Sequence, residues 1–309
     1  MSITITGAAG FLGQRLANVL ARRGERVVMC DLVEPAAVPA NGTFIQGDLE
    51  ATLDAAITED TKAVVHLAAV VSSGAELDFD LGYGVNVAGL TKLLERCRSA
   101  PARPPTVLFT SSLAVFGATP FATDESPTTP ASSYGTQKAI GELLVNDYSR
   151  KGFIDGRTLR LPTISVRPGA PNKAASGFAS GILREPLRGL RATCPLDPSS
   201  VLWLASPDSA VRALVHGLYV DGDAFGDYRC VNAPGISVSI DDMLDSLERH
   251  GGDRSLVDFA PDPHVAAIVG SWPSHFDVSK ATAMGFPAAD DIDAAVASHV
   301  ERELLGVVG

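Results

Sequence analysis

Cysteine is scarce: four in 309 residues, Cys30, Cys97, Cys194 and Cys230, too far apart for any C-x-x-C pair. That spacing fits neither a zinc ribbon nor a disulfide framework, and the thiols read as reduced residues of core or surface. Histidine is thin as well, six in all and none at H-x-x-H or H-E-x-x-H spacing, so no metal is implied. Basic residues are outnumbered, 25 against 36 acids, and the net charge of -11 with a pI near 5.0 would repel nucleic acid and anionic membrane surfaces. Small molecules remain as partners. No apolar run approaches the length of a membrane span, and residues 2–6 already read as a strand rather than a cleavable leader, so the cytoplasm is the expected compartment.

Apolar residues are plentiful, at 46%, enough to fill a sizeable core in one large domain or two modest ones. Strand-like runs recur at 3–6, 26–30, 43–46, 63–67, 106–111 and 157–161. Helical patterns are expected at 11–23, 53–58, 79–99 and 133–150, the last with Ser132 or Ser133 as N-cap. Alternation of this kind predicts an α/β fold, a Rossmann-type doubly wound parallel sheet, over residues 1–161. From Pro162 the texture changes. Pro168, Pro171, Pro186, Pro195 and Pro198 interrupt the alternation, and residues 162–309 are expected to form a smaller substrate-binding region with some segments returning to the first domain. Helices at 208–219 and 240–249, a strand at 228–232 and an alanine-rich C-terminal helix near 288–297 are expected within it.

The first 31 residues carry the most specific signal: a strand, the turn Gly7-Ala8-Ala9-Gly10-Phe11-Leu12-Gly13, a helix, a second strand and Asp31 at its end. Gly7 suits the tight turn, Gly10 lets backbone approach a pyrophosphate, and Gly13 lets the helix pack close to the strands. The amides at the helix start then face phosphate charge. Asp31 can accept hydrogen bonds from both adenosine ribose hydroxyls. No Arg or Lys follows closely to welcome a 2'-phosphate, so NAD is expected rather than NADP.

A second constellation suits proton abstraction. Tyr134 and Lys138 lie four residues apart in a predicted helix, so both leave the same face one turn apart. An ammonium roughly 5 Å from a phenol, at an effective dielectric of about 20, contributes roughly 3 kcal/mol, which would bring Tyr134 from about 10 toward 7 to 8. The strand ending Thr110-Ser111-Ser112 places hydroxyls at the carboxyl end of a parallel sheet, where ligands bind, and Ser112 can hold the oxygen that Tyr134 deprotonates. The bland readings of these features are a chance Y-x-x-x-K pair and strand-end serines that cap the next turn. Their company with the glycine turn weighs against both.

With these motifs the chain resembles an extended short-chain dehydrogenase/reductase, the family of NAD-dependent epimerases and dehydratases. The resemblance runs through GAAGFLG, Asp48-Leu49, His66-Leu67-Ala68-Ala69, Asn86 in VNVAGL, TSSLAVFG, and the Tyr134/Lys138 pair. It implies Ser112, Tyr134 and Lys138 as catalytic residues. It also implies cofactor contacts from Gly7, Gly10, Phe11, Leu12, Gly13, Asp31, Asp48, Leu49, Leu67, Ala68, Ala69, Asn86, Tyr134, Lys138 and Pro162. His66 would line the cofactor without a catalytic role. Phe116 departs from the pattern, standing where members handling nucleotide sugars usually carry Tyr, which weakens a simple sugar-epimerase reading.

Residues 161–186 resemble most the members of the family that act on four-carbon sugar acids. The resemblance therefore implies NAD-dependent oxidation of the C2 hydroxyl of a small sugar acid to a 2-oxo acid. A carboxylate substrate needs a cationic partner, and Asn172, Lys173 and Arg184 are the candidate donors, with Ser111, Ser112, Tyr134 and Thr163 completing the substrate set. Alternatives are a nucleotide-sugar 4-epimerase, a threonine-type dehydrogenase, which would need an acid near the substrate ammonium, and a non-catalytic NAD-binding protein. By analogy with the family, a homodimer is expected to pack through the helices at 79–99 and 133–150.

Overall fold

The computed structural model describes residues 1–169 and 174–306. Among them, seven strands form one parallel sheet, in the spatial order Cys230–Asn232, Asp155–Leu161, Thr106–Ser112, Thr61–His66, Ser2–Thr6, Arg26–Asp31, Gly42–Gln46. Side chains alternate between its faces, as the pleat requires. Ile3, Ile5, Val27, Met29 and Leu108 pack with the helices Phe11–Arg22 and Pro207–Tyr219 on one side. Val28, Val64, Val107 and Phe109 pack with Leu49–Ala56, Leu90–Ser99 and Ser133–Arg150 on the other. Both faces are buried, which is why these strands read as nearly continuous apolar runs.

Helix boundaries follow capping chemistry. The Leu49–Ala56 helix begins four residues earlier than its apolar pattern suggests, because Asp48 accepts from the Ala51 amide at 2.8 Å and caps it. Ser132 caps Ser133–Arg150 by accepting from Gly135. The helix expected over 79–99 is not a single α-helix. It divides into Phe79–Tyr83, a π-helical segment Gly84–Gly89 and Leu90–Ser99, with a separate short helix at Ser72–Leu77. Asn86 lies in the π-helical segment, where its amide bonds both the N–H and the C=O of Val70 and the Gln137 side chain.

After Leu161 the chain leaves the large sheet. Thr163–Ile164 pairs with Val201–Ala205, which pairs in turn with Ile236–Ser239. A second core forms there around Ile182, Leu183, Leu204, Met243, Leu244 and Leu247. The Pro207–Tyr219 helix and the Cys230–Asn232 strand then return to the large sheet.

One polar group fastens the long Ser133–Arg150 helix to the sheet. Glu142 is fully buried and accepts from Arg160 Nε (2.9 Å) and Nη2 (2.7 Å), from Ser111 Oγ (2.6 Å) and from the Tyr228 hydroxyl (3.0 Å). Removing one partner of such a pair strands the other charge without water. Glu142→Ala is therefore expected to lower unfolding free energy by about 3–5 kcal/mol, read from denaturant titration, whereas truncating exposed Glu50, which pairs with Lys92 at the surface, should change it by about 1 kcal/mol or less.

Candidate active site

Two cavities share Gly7, Gly10, Leu67 and Ala69 on their walls and so form one trough across the carboxyl ends of the strands. The larger, about 680 Å3, is walled by Asp31, Asp48, Leu49, Ala68 and Val70. The smaller, about 290 Å3, is walled by Phe11, Leu12, Gly13, Ser111, Ser112, Tyr134, Lys138, Pro162 and Thr163. Folding thus brings the glycine turn, the acid at the end of the second strand and the Tyr/Lys helix to a common opening.

The trough fits a dinucleotide on its own geometry. Gly7 has φ of +69°, and a Cβ there would come within 2.6 Å of the Ala68 amide nitrogen. At Gly13 a Cβ would come within 2.5 Å of the Gly7 carbonyl oxygen, so both glycines are demanded by the fold itself. Gly10 differs. A Cβ there meets only the Gly7 carbonyl oxygen, at 3.3 Å, and would occupy open trough, the space through which a pyrophosphate approaches the backbone. The helix beginning at Phe11 has no side-chain cap, which leaves its first amides and positive dipole end available to an anion. Asp31 is held in place by the amides of Ala9 (2.9 Å) and Val33 (3.3 Å) at the ribose end.

At the other end, three residues of one helix face meet the last three residues of the Thr106–Ser112 strand. Tyr134 stands with Ser112 on the cavity wall, Lys138 Nζ donates to the Thr110 carbonyl at 2.8 Å, and Glu142 takes the Ser111 hydroxyl. Ser112 also accepts from the Ala114 amide at 3.2 Å, which fixes its rotamer. The Lys138 ammonium lies over two rings, 4.8 Å from the Phe109 centroid and 5.7 Å from that of Tyr134.

The electrostatics depart from what spacing alone predicts. Burial pushes the Tyr134 phenol up to about 12, opposed by the Ser112 hydrogen bond and the Arg167 charge, instead of down toward 7 to 8. The reason is geometric. Lys138 sits over the ring rather than against the hydroxyl, and burial pulls the lysine itself down to about 7, opposed by Glu142. His66, buried and in contact with Thr6 Oγ1, is held down to about 3 and stays neutral.

Several expected site residues are placed elsewhere. Ser111 is on the wall, but its hydroxyl is given to Glu142. Asn86 is on neither wall; it clamps Val70 to Gln137. Arg184 is buried and donates to the Arg167 carbonyl (3.0 Å) and to Glu185 (2.5 Å), away from the walls. Asn172 and Lys173 lie outside the described residues. Arg167, which sequence reasoning passed over, is on the wall of the smaller cavity together with Ser72, Ser176 and Trp272.

Glycine replacement separates binding from folding. Gly10→Ala is expected to keep its thermal midpoint within a few degrees yet lose about tenfold or more in NADH affinity by fluorescence titration. Gly13→Ala should instead lower stability by about 1–3 kcal/mol through backbone overlap.

Comparison with known proteins agrees with this trough. The model of the NAD dependent epimerase/dehydratase family matches residues 3–202. D-erythronate dehydrogenase of Cupriavidus necator is 48% identical, the alignment covering 97% of this chain and 98% of that protein. The Haemophilus influenzae enzyme of the same name is 42% identical, covering 98% and 100%. The crystal structure of a nucleoside-diphosphate-sugar epimerase from Agrobacterium tumefaciens superposes with a TM-score of 0.88 at 40% identity, covering 99% of this chain and 95% of that one. The chain belongs to the NAD-dependent epimerase/dehydratase family and is an NAD-dependent dehydrogenase of the extended short-chain dehydrogenase/reductase type.

Proposed function

We propose that this enzyme oxidises the C2 hydroxyl of a small sugar acid, D-erythronate or a close relative, to a 2-oxo acid. The observation that carries the reading is the wall of the smaller cavity: Tyr134, Ser112 and Lys138 converge there, and among its described residues there is no Asp or Glu side chain. An anionic substrate meets no like charge at such a wall. The full-length identity to two D-erythronate dehydrogenases supports the same substrate class.

Gly7, Gly10, Phe11, Leu12 and Gly13 would hold the pyrophosphate. Asp31, Asp48, Leu49, Leu67, Ala68 and Ala69 would hold the adenosine half, and Lys138 and Pro162 the nicotinamide half. Bound NAD supplies the hydride acceptor and, in its oxidised form, a positive ring. Tyr134 takes the proton from the C2 hydroxyl, Ser112 hydrogen-bonds the same oxygen, and Arg167 favours the phenolate by charge. Because burial disfavours phenolate, Tyr134 remains a protonated phenol until positive charge arrives beside it.

A nucleotide-sugar 4-epimerase is the competing reading, favoured by the activity for which the similar Agrobacterium protein is named. Against it, Phe116 is buried in a core cluster rather than on the wall. A threonine-type reaction lacks the acid that a substrate ammonium would need among the described wall residues.

Purified enzyme mixed with NAD and D-erythronate should accumulate NADH; an epimerase that returns its hydride would not. Tyr134→Phe should cut that rate by about 100-fold or more with NADH binding retained, and a variant keeping the parent rate would sink the assignment. Oxidation needs the phenolate, so its rate should climb as pH rises from neutral into the alkaline range. Reduction of the 2-oxo acid needs the phenol and should not fall as pH drops toward neutral.

The enzyme is further proposed to form a homodimer through the 79–99 and 133–150 segments, which carry the exposed apolar side chains Phe79 (59%) and Leu143 (62%). Leu143→Arg is expected to shift the sedimentation coefficient from dimer to monomer.

A further inference from the structure

A substrate carboxylate cannot leave water for a partly apolar wall unless a fixed cation receives it. The described residues of the smaller cavity offer two cationic side chains, Lys138 and Arg167. The Lys138 ammonium is bonded to the Thr110 carbonyl and packed over the Phe109 and Tyr134 rings, beside the proposed base and cofactor site. Arg184 is off the wall and bonded to the backbone of Arg167. Its guanidinium donates to the main-chain carbonyl of Arg167, while the amide of Arg167 donates to Ser180 Oγ at 3.0 Å. Both sides of the Arg167 backbone are therefore tied to the Phe178–Arg184 helix, so its side chain starts from a fixed point on the wall.

Resting on the sugar-acid reading above, we propose that Arg167 selects an acid as substrate by holding its carboxylate beside the carbon whose hydroxyl faces Tyr134 and Ser112. Arg167 and Tyr134 stand on the wall of the same cavity, and each favours the charged form of the other, opposing the burial that disfavours both. With its carboxylate on Arg167 and its adjacent carbon turned toward Tyr134 across the same cavity, an acid would present its C2 hydroxyl to the base rather than those further along the chain. A guanidinium can meet a carboxylate through two parallel N–H bonds and so fixes orientation as well as charge. Burial lowers this guanidinium to about 10, which leaves it protonated at neutral pH. The rest of the wall suits hydroxyl-bearing carbons. It carries the hydroxyls of Thr163 and Ser176 and the indole of Trp272, whose N–H has no hydrogen-bond partner among the described residues. Arg184 is then a positioning residue that acts through the Arg167 backbone.

The test compares D-erythronate with its neutral primary amide in the parent enzyme, Arg167→Gln and Arg167→Lys. For the acid, Arg167→Gln should lose about 100-fold in kcat/KM, mostly through KM, and Arg167→Lys should recover part of that loss. For the amide, both variants should stay within about threefold of the parent. Equal losses on acid and amide, or no loss on the acid, with NADH binding intact, overturn the proposal while leaving the dehydrogenase reading in place. Should Arg167→Gln fold poorly, Arg167→Lys alone decides, because a residue needed only for packing would depress both substrates together. Calorimetry of the NADH complex with D-erythronate separates the remaining case. Binding that Arg167→Gln abolishes, in an enzyme that oxidises no acid, would retire the oxidation reading and keep the carboxylate site; binding indifferent to Arg167 would retire the site.

Discussion

The architecture of this site depends on one seam, the line along which the Ser133–Arg150 helix is fastened to the end of the Thr106–Ser112 strand. Three consecutive strand residues take three successive turns of the helix: Ser112 meets Tyr134, the Thr110 carbonyl meets Lys138, and Ser111 meets Glu142. The deepest contact carries the highest stakes, because Glu142 and Arg160 are both buried and each is tolerable only beside the other. Tyr228 and Ser111 satisfy the remaining acceptor capacity of the carboxylate, which makes the network complete enough to fix the helix in rotation and in height. Rotation of that helix by one residue would turn the phenol out of the trough.

The same burial that fixes the seam sets the chemistry. Removing water raises the phenol and lowers the ammonium, so neither group stands at the value that its neighbour alone would produce. In the proposed role of base, such a phenol is weak in an empty trough and gains strength as positive charge is brought to it. Arg167, the Ser112 hydrogen bond and the oxidised cofactor all act in that direction, and reactivity is thereby linked to a filled site. Held as a neutral phenol in the meantime, Tyr134 leaves no uncompensated anion in the dry cleft.

Much of the fold was legible because it is written in local patterns. The strand and helix alternation of the first 161 residues, the glycine turn, Asp31 and the four-residue interval from Tyr134 to Lys138 all lie within short windows that the chain's own periodicity exposes. Where reading failed, a contact outside the apolar pattern decided. Asp48 moved a helix start by capping it, and the segment around Asn86 departed from α-helical winding where that side chain clamps Val70. Glu142 continues the Tyr134 and Lys138 spacing by one more turn, a local clue, yet its partners Arg160 and Tyr228 come from elsewhere in the chain. The placement of the arginines was beyond local reading for the same reason. Arg184 and Arg167 are both arginines in one segment, and only packing shows that the first supports the backbone of the second.

By itself the sequence determined the class of fold, the cofactor and the pairing of Tyr134 with Lys138 on one helix face, because each follows from spacing along one strand or helix and from the chemistry of the residue types. Tertiary structure alone decided the electrostatics of that pair, the employment of Ser111 and Asn86 as braces, and which arginine stands on the wall of the smaller cavity. The physical reason is that spacing sets which side chains share a face, whereas solvation and partnership depend on what the rest of the chain lays over that face.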